Sequence, residues 1–209
     1  MSEIRVLHVI ARMNVGGTAT YIANLIRGLD SVGVENLLAM GSVPKGEAED
    51  SVVQRLKIVR VANLSRQIHP YKELKAYRNL NKIIEEFKPD LIHTHTFKAG
   101  FLLRIKRGSV PVIHSFHGHH LYDPEFGFVK RSVLNFVERK LAKRSLAIVT
   151  IGKKVRDELL EVGIGERSQF HPIAPGIEEP NADGAVDRRA EFGISRDEIM
   201  NIHSFAMIS

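Results

Sequence analysis

The stretch Val6-Leu7-His8-Val9-Ile10-Ala11-Arg12-Met13-Asn14-Val15-Gly16-Gly17-Thr18 decides the fold: an apolar strand runs through a short loop into a double glycine, and an amphipathic helix follows. Ile22, Leu25, Ile26 and Leu29 recur at spacings of three and four, which predicts a helix with one face buried against a sheet. Gly28 and Gly33 weaken its end, so it is expected to stop near Ser31. A strand that ends in glycines before a helix gathers unpaired backbone N–H groups at the positive end of the helix dipole, a place suited to an anion. Gly16, Gly17 and Thr18 are therefore the candidate phosphate contacts. The glycines have two readings at this stage, close approach of a ligand to the backbone or a tight turn that needs positive φ.

Outward from this stretch, strands and helices alternate. Strands are expected at 36–40, 58–61, 90–95, 111–116, 146–151 and 169–173, with a polar mobile loop at 44–50. Helices are expected at 71–87, with Leu74, Tyr77, Leu80, Ile84 and Phe87 on one face, and at 98–107, 125–143 and 153–162. Repeated β-α units with continuous apolar strands imply an α/β fold: a Rossmann-like parallel sheet with helices on both faces. No internal repeat or low-complexity tract is visible.

The 209 residues suffice for one domain of ordinary size plus a remainder. The sequence contains no cysteine, which removes disulfides and thiolate metal sites and fits a reducing compartment. No run of about 18 apolar residues occurs, so a soluble, cytoplasmic protein is expected. The net charge of +6 and isoelectric point near 9.6 suit anionic partners, whether phosphorylated small molecules, an acidic membrane or nucleic acid.

In open sheets of this kind ligands bind at the carboxyl ends of the strands. The residues expected there are 12–17, 93–98, 115–122 and 152–154, a set rich in histidine, lysine and glycine. Asp123 is the only carboxylate nearby, so paired acid/base chemistry is not expected. His93 and His95 share one side of their strand, and His117, His119 and His120 crowd the end of the next. Zinc sites usually add a carboxylate or a fixed helical pair, neither of which is evident, and no metal is expected. Packing or capping roles suit His93, His95 and His120, while His8 and His114 lie inside strands as core residues. His117, followed by Gly118 in a loop, is placed to hydrogen-bond a ligand hydroxyl or phosphate. The loop lacks both G-x-G-x-x-G and a lysine followed by serine or threonine, so neither the dinucleotide fingerprint nor the P-loop is present.

Taken together, residues 5–17 with the helix after them, Pro89-Asp90-Leu91-Ile92-His93-Thr94-His95, Lys98-Ala99-Gly100, Pro111-Val112-Ile113-His114-Ser115-Phe116-His117-Gly118 and Pro175-Gly176-Ile177 resemble the N-terminal half of family 4 glycosyltransferases of the GT-B fold. The resemblance covers nearly the whole chain to about Glu178. It implies a domain over 1–178 that binds the acceptor and lends its glycine loop to the donor's phosphates, with 179–209 a linker and the truncated start of a C-terminal donor domain. It also implies His117 near the transferred sugar, and Gly16, Gly17, Thr18, His95, Lys98 and Gly118 as substrate or donor-phosphate contacts. No cofactor is implied beyond the nucleotide-sugar donor, which is a substrate, and nucleic acid is not an expected partner. The expected function is the acceptor half of a retaining glycosyltransferase acting on a glycan, lipid or small molecule, inactive until a donor domain or partner chain completes it. A non-catalytic binding module and a sugar-nucleotide epimerase-like fragment are the alternatives.

Lys130, Arg131, Arg139, Lys140, Lys143 and Arg144 fall on the expected helix 125–143 or just beyond it, with Val129, Val133, Phe136, Val137 and Leu141 as a separate apolar stripe. Four of these cations lie where the helix dipole favours positive charge, which stabilises the helix by itself. The alternative is peripheral contact with the inner face of an acidic membrane.

Overall fold

The computed structural model describes residues 4–65, 70–106, 108–118 and 127–176. Among them are strands β1 (Arg5–Ile10), β2 (Glu35–Met40), β3 (Ile58–Arg60), β4 (Leu91–His95), β5 (Val112–Phe116), β6 (Ala147–Thr150) and β7 (Phe170–Pro172). The helices between them are α1 (Gly17–Ser31), α2 (Pro70–Phe87), α3 (Thr96–Arg104), α4 (Phe128–Ala142) and α5 (Lys153–Glu161). The strands form one sheet in the order β3-β2-β1-β4-β5-β6-β7, every pairing parallel. The direction of winding reverses between β1 and β4, and a crevice opens at the carboxyl ends of strands on either side of such a reversal. The register sets His8 beside His93 and Ile10 beside His95 at that point.

Alternation along β1 sends Leu7 and Val9 to one face and His8 and Ile10 to the other. Leu7, Val9 and Ile92 pack with Ala76, Leu80 and Ile83 of α2 and Ala99 and Leu102 of α3. On the opposite face Ile10, Leu38 and Met40 meet Ala19, Ile22 and Ile26 of α1. Ile22 and Ile26 are 0% and 3% exposed, and burying each contributes about 2 kcal/mol. A third cluster, Ile148, Leu159, Ile164 and Phe170, closes the far edge against α5.

Several boundaries and faces differ from expectation. On α2 the buried residues are Ala76, Leu80 and Ile83, with Tyr77, Ile84 and Phe87 of the expected face packed against the same core, while Leu74 is 48% exposed. α3 starts at Thr96, two residues before the expected start, because Thr96 takes φ +71 and turns β4 into the helix without a loop. For a β-branched residue this conformation stores about 1–3 kcal/mol of strain. The segment expected as a mobile loop is tied to the glycine loop: Val15 N donates to Ala48 O at 3.1 Å, Asp50 N to Met13 O at 2.9 Å, and Arg12 pairs with Glu47. The expected apolar stripe on α4 does not pack as a unit, since Val129, Val133 and Phe136 are 75%, 56% and 58% exposed and only Leu141 of the five is buried. Instead α4 buries Glu138, drawn inward by Arg104 of α3. The expected boundary at 178/179, His119, His120 and Asp123 lie outside the described residues.

Gly100 of the Lys98-Ala99-Gly100 motif has a packing role. A Cβ there would sit 2.5 Å from the His114 ring and 2.6 Å from the Arg104 guanidinium, so only glycine lets α3 lie this close to β5.

Candidate functional site

The double glycine and the histidines meet at the carboxyl ends of β1, β4 and β5. Gly16 caps α1 with φ +152, a conformation costly for other residues, whereas Gly17 is the first helical residue and has no positive φ. A Cβ at either position would meet nothing within 4 Å. Gly16 is therefore the residue that the turn requires, and open space lies in front of both glycines. Ala19 N and Thr20 N both return to Gly16 O, at 3.1 and 3.4 Å. The N–H groups of Gly17 and Thr18 precede the helical ladder and face outward at an exposed helix end with no side-chain cap. This corner can take an anion.

Beside it runs a buried chain of polar groups. Asn36 Nδ2 donates to Asp30 Oδ1 at 2.7 Å and to Val34 O at 3.0 Å. Asn36 Oδ1 lies 3.0 Å from His8 Nε2, His8 Nδ1 lies 3.2 Å from His95 Nε2, and His95 Nδ1 lies 3.0 Å from His117 Nε2. His8 and His95 are fully buried, His117 half-buried. Burial pushes His8 and His117 down to about 4. It also holds His93, His95 and His114 well below the usual imidazole range, helped by the neighbouring histidines and, for His114, by Arg104. The whole set is neutral at pH 7.

His93 Nε2 hydrogen-bonds Ser115 Oγ at 2.7 Å, and Thr94 Oγ1 lies 2.8 Å from His114 Nδ1. His8, His93 and His95 offer ring nitrogens within 4.8 Å of one another, a spacing a metal ion would fit. Both nitrogens of His8 and of His95 already serve hydrogen bonds, so the group reads as a polar chain. Tyr21, one turn into α1, sets its ring against His117 edge-on at 4.8 Å. Burial raises its phenol above the ordinary range.

His117 and His95 are thus in direct contact, Gly16, Gly17 and Thr18 begin the helix that carries Tyr21, and Gly118 follows His117 with φ +141. Lys98 is placed differently: it is 6% exposed and pairs with Glu73 of α2, so its charge is spent inside the protein. Late in the domain, Gly176 O accepts a 3.3 Å hydrogen bond from Asn24 of α1.

Sequence reasoning missed Tyr21, Asn36 and Glu73, and placed Thr96 and Ser115 at the strand ends without a role. Asn36 carried a signal, being a polar residue at the head of the apolar run Leu37-Leu38-Ala39-Met40. Thr96 carried none, since its positive φ and its buried hydroxyl without a partner among the described residues are tertiary facts.

A seven-stranded parallel sheet of this order, covered by helices, is the N-terminal Rossmann-like domain of the GT-B fold. The chain belongs to Glycosyltransferase Family 4, whose profile matches residues 15–179. It is 28% identical to EpsF of Bacillus subtilis strain 168, a glycosyltransferase by name, over 97% of this chain and 54% of that protein. A shorter match, 34% identical over 35% of this chain and 20% of the relative, is to UDP-Gal:alpha-D-GlcNAc-diphosphoundecaprenol alpha-1,3-galactosyltransferase of Escherichia coli. Among solved structures, sucrose-phosphate synthase of Thermosynechococcus elongatus superposes with TM-score 0.67 at 16% identity, over 94% of this chain and 54% of that one. UDP-GlcNAc 2-epimerase of Neisseria meningitidis, bound to UDP-GlcNAc, superposes with TM-score 0.53 at 18% identity, over 83% of this chain and 46% of that one. The chain spans about half the length of EpsF and of both these solved structures.

Proposed function

We propose that this domain is the acceptor-binding half of a retaining glycosyltransferase, which moves a sugar from a nucleotide diphosphate sugar to a glycan, lipid or small-molecule acceptor. The observation that carries the reading is the pairing of an open helix end at Gly17 and Thr18 with His117 one helical turn away, at Tyr21. The helix end supplies N–H donors for a diphosphate oxygen, and the imidazole supplies a hydrogen bond to the sugar or the incoming hydroxyl. No cofactor enters this reading, and a C-terminal donor domain or partner chain completes the site. The named activity of the galactosyltransferase relative supports a nucleotide-sugar donor. Similarity to the epimerase concerns the fold alone.

Transfer from a panel of nucleotide sugars to lipid-linked and soluble glycan acceptors, measured for this chain with and without an added C-terminal donor domain, tests the proposal. Activity is expected only in the complemented mixture. His117→Ala should then cut turnover by about 100-fold while leaving the melting temperature nearly unchanged. Inversion of a sugar carbon without transfer would favour the epimerase alternative, and nucleotide-sugar or glycan binding without either reaction the non-catalytic one.

A peripheral membrane site is the second part of this reading, favoured by the outward face of α4. Phe128 and Val129 are 82% and 75% exposed and continue into Val133 and Phe136, with Lys140 over the Phe136 ring. Of the cations in this region, Arg139 donates to Val162 O and Arg144 to Ile105 O. No helix among the described residues is long and apolar enough to cross a membrane. Apolar side chains among lysines suit shallow insertion beside anionic headgroups. Sedimentation with acidic-lipid vesicles should recover the protein in a salt-sensitive way, and equal recovery with neutral vesicles would leave the face as exposed surface.

A further inference from the structure

The buried polar chain has a direction, and it ends at His117. Asn36 Nδ2 faces two groups that only accept, the Asp30 carboxylate and the Val34 carbonyl, which fixes the orientation of the amide. Asn36 Oδ1 must then face His8, so His8 Nε2 carries the proton and donates. A neutral imidazole that donates from one nitrogen accepts at the other. His8 Nδ1 therefore accepts from His95 Nε2–H, and His95 Nδ1 accepts from His117 Nε2–H. Each step leaves one choice, because two bare nitrogens or two N–H groups facing each other at 3.0–3.2 Å would leave buried groups unsatisfied. His117 Nδ1 has no partner among the described residues.

We propose that Asn36, His8 and His95 are positioning residues that hold His117 in the Nε2–H tautomer, leaving its Nδ1 as a bare hydrogen-bond acceptor for substrate. Tyr21 keeps the ring from turning over by its edge-on contact. The consequence for substrate rests on the reading that His117 meets it: the partner of Nδ1 must be a donor, so a sugar or acceptor hydroxyl qualifies and a diphosphate oxygen does not. Phosphate recognition then falls to the N–H groups of Gly17 and Thr18, and the two halves of the site are divided by hydrogen-bond polarity.

Imidazole nitrogen resonances of the 15N-labelled 209-residue chain at neutral pH read the tautomers without any activity assay. His8, His95 and His117 are each expected as a single neutral Nε2–H form. His95→Asn keeps an acceptor near the Nδ1 position and should retain the His117 tautomer, whereas His95→Leu should convert it to a mixture. Asn36→Leu, three links away, removes the acceptor that orients the chain and should produce a second population with His117 protonated at Nδ1. His117 found as Nδ1–H in the unmodified protein, or unchanged in both leucine variants, would overturn the proposal. If the tautomers behave as expected while His117→Ala leaves transfer intact in the complemented enzyme, the functional reading fails and the positioning chain stands.

Discussion

Two buried polar constellations among the described residues are built on opposite principles. The histidine chain crosses the sheet from Asn36 to His117 as a line of neutral groups, each satisfied by the next, and it ends beside α1 on a nitrogen with no partner among the described residues. Arg104, fully buried behind β5, is charged and closed on its surroundings. Its Nε donates to Gly100 O at 3.0 Å, its Nη2 reaches both Glu138 oxygens at 3.0 Å, and Ser145 Oγ lies 3.5 Å from Nη1. Burial pushes Arg104 down and Glu138 up, each pulled back by the other. Such a ring ties α3 to α4 and offers nothing to a ligand. A polar network that closes on itself ties elements together, while one that ends on an acceptor with no partner among the described residues can meet a ligand.

Removing one partner of the closed ring should have the largest effect. Glu138→Ala strands the Arg104 guanidinium in the core and is expected to cost about 3–5 kcal/mol in denaturant unfolding, because the remaining charge keeps its full desolvation penalty. A loss below about 1 kcal/mol would mean that the pair is reached by water.

Acid should act on the open chain next. His8 and His117 are depressed from 6.5 to about 4, so between those pH values the unfolded chain binds protons that the native state refuses. Stability should be at its full value above about pH 6.5 and fall as pH drops toward 4, with His8 alone contributing about 3 kcal/mol to the loss. The other depressed histidines extend the decline to lower pH. A melting temperature flat between pH 7 and 4.5 would contradict the neutral chain.

Thr96→Gly, at the junction of β4 and α3, removes the side-chain cost of φ +71 and is expected to raise stability by about 1 kcal/mol. A decrease would show that the buried hydroxyl or methyl makes up for the strain. The smallest effect belongs to Gly17. Gly17→Ala should stabilise α1 by about 0.5–1 kcal/mol, since its φ is ordinary and the added methyl meets nothing, while weakening nucleotide-sugar binding in the complemented enzyme by crowding the helix end. Gly16→Ala should instead destabilise, because its φ is +152. Identical behaviour of the two variants would erase the distinction between the turn glycine and the approach glycine.

Much of the fold was legible in the sequence because it rests on local periodicity. The apolar runs of β1, β4 and β5, the 3.6-residue pattern of α1 and the glycines at its start all lie within short windows, where alternation and helical spacing leave a direct imprint. The order and spacing of the Gly16-Gly17, His93-Thr94-His95 and His117-Gly118 segments carried the family assignment in the same way. On α2 Tyr77, Leu80, Ile84 and Phe87 of the expected face pack on the core and only Leu74 does not, because what covers the end of an apolar stripe is set by the neighbouring elements and not by the helix's own periodicity. Which side chain α4 buries was not legible, because Glu138 is drawn inward by Arg104 from another helix.

What the sequence determined by itself, then, is the α/β alternation, the glycine-led helix start and the histidine-rich strand ends. Only the tertiary structure decided that Lys98 pairs with Glu73 and that Gly16, not Gly17, carries the positive φ of the turn. It alone joined His8 to His95 across 87 residues, His8 to Asn36 across 28 and His95 to His117 across 22. The physical reason is that side-chain periodicity is a property of neighbours in the chain. The direction of a hydrogen bond is a property of two atoms brought together by strand register, and nothing in the local sequence carries it.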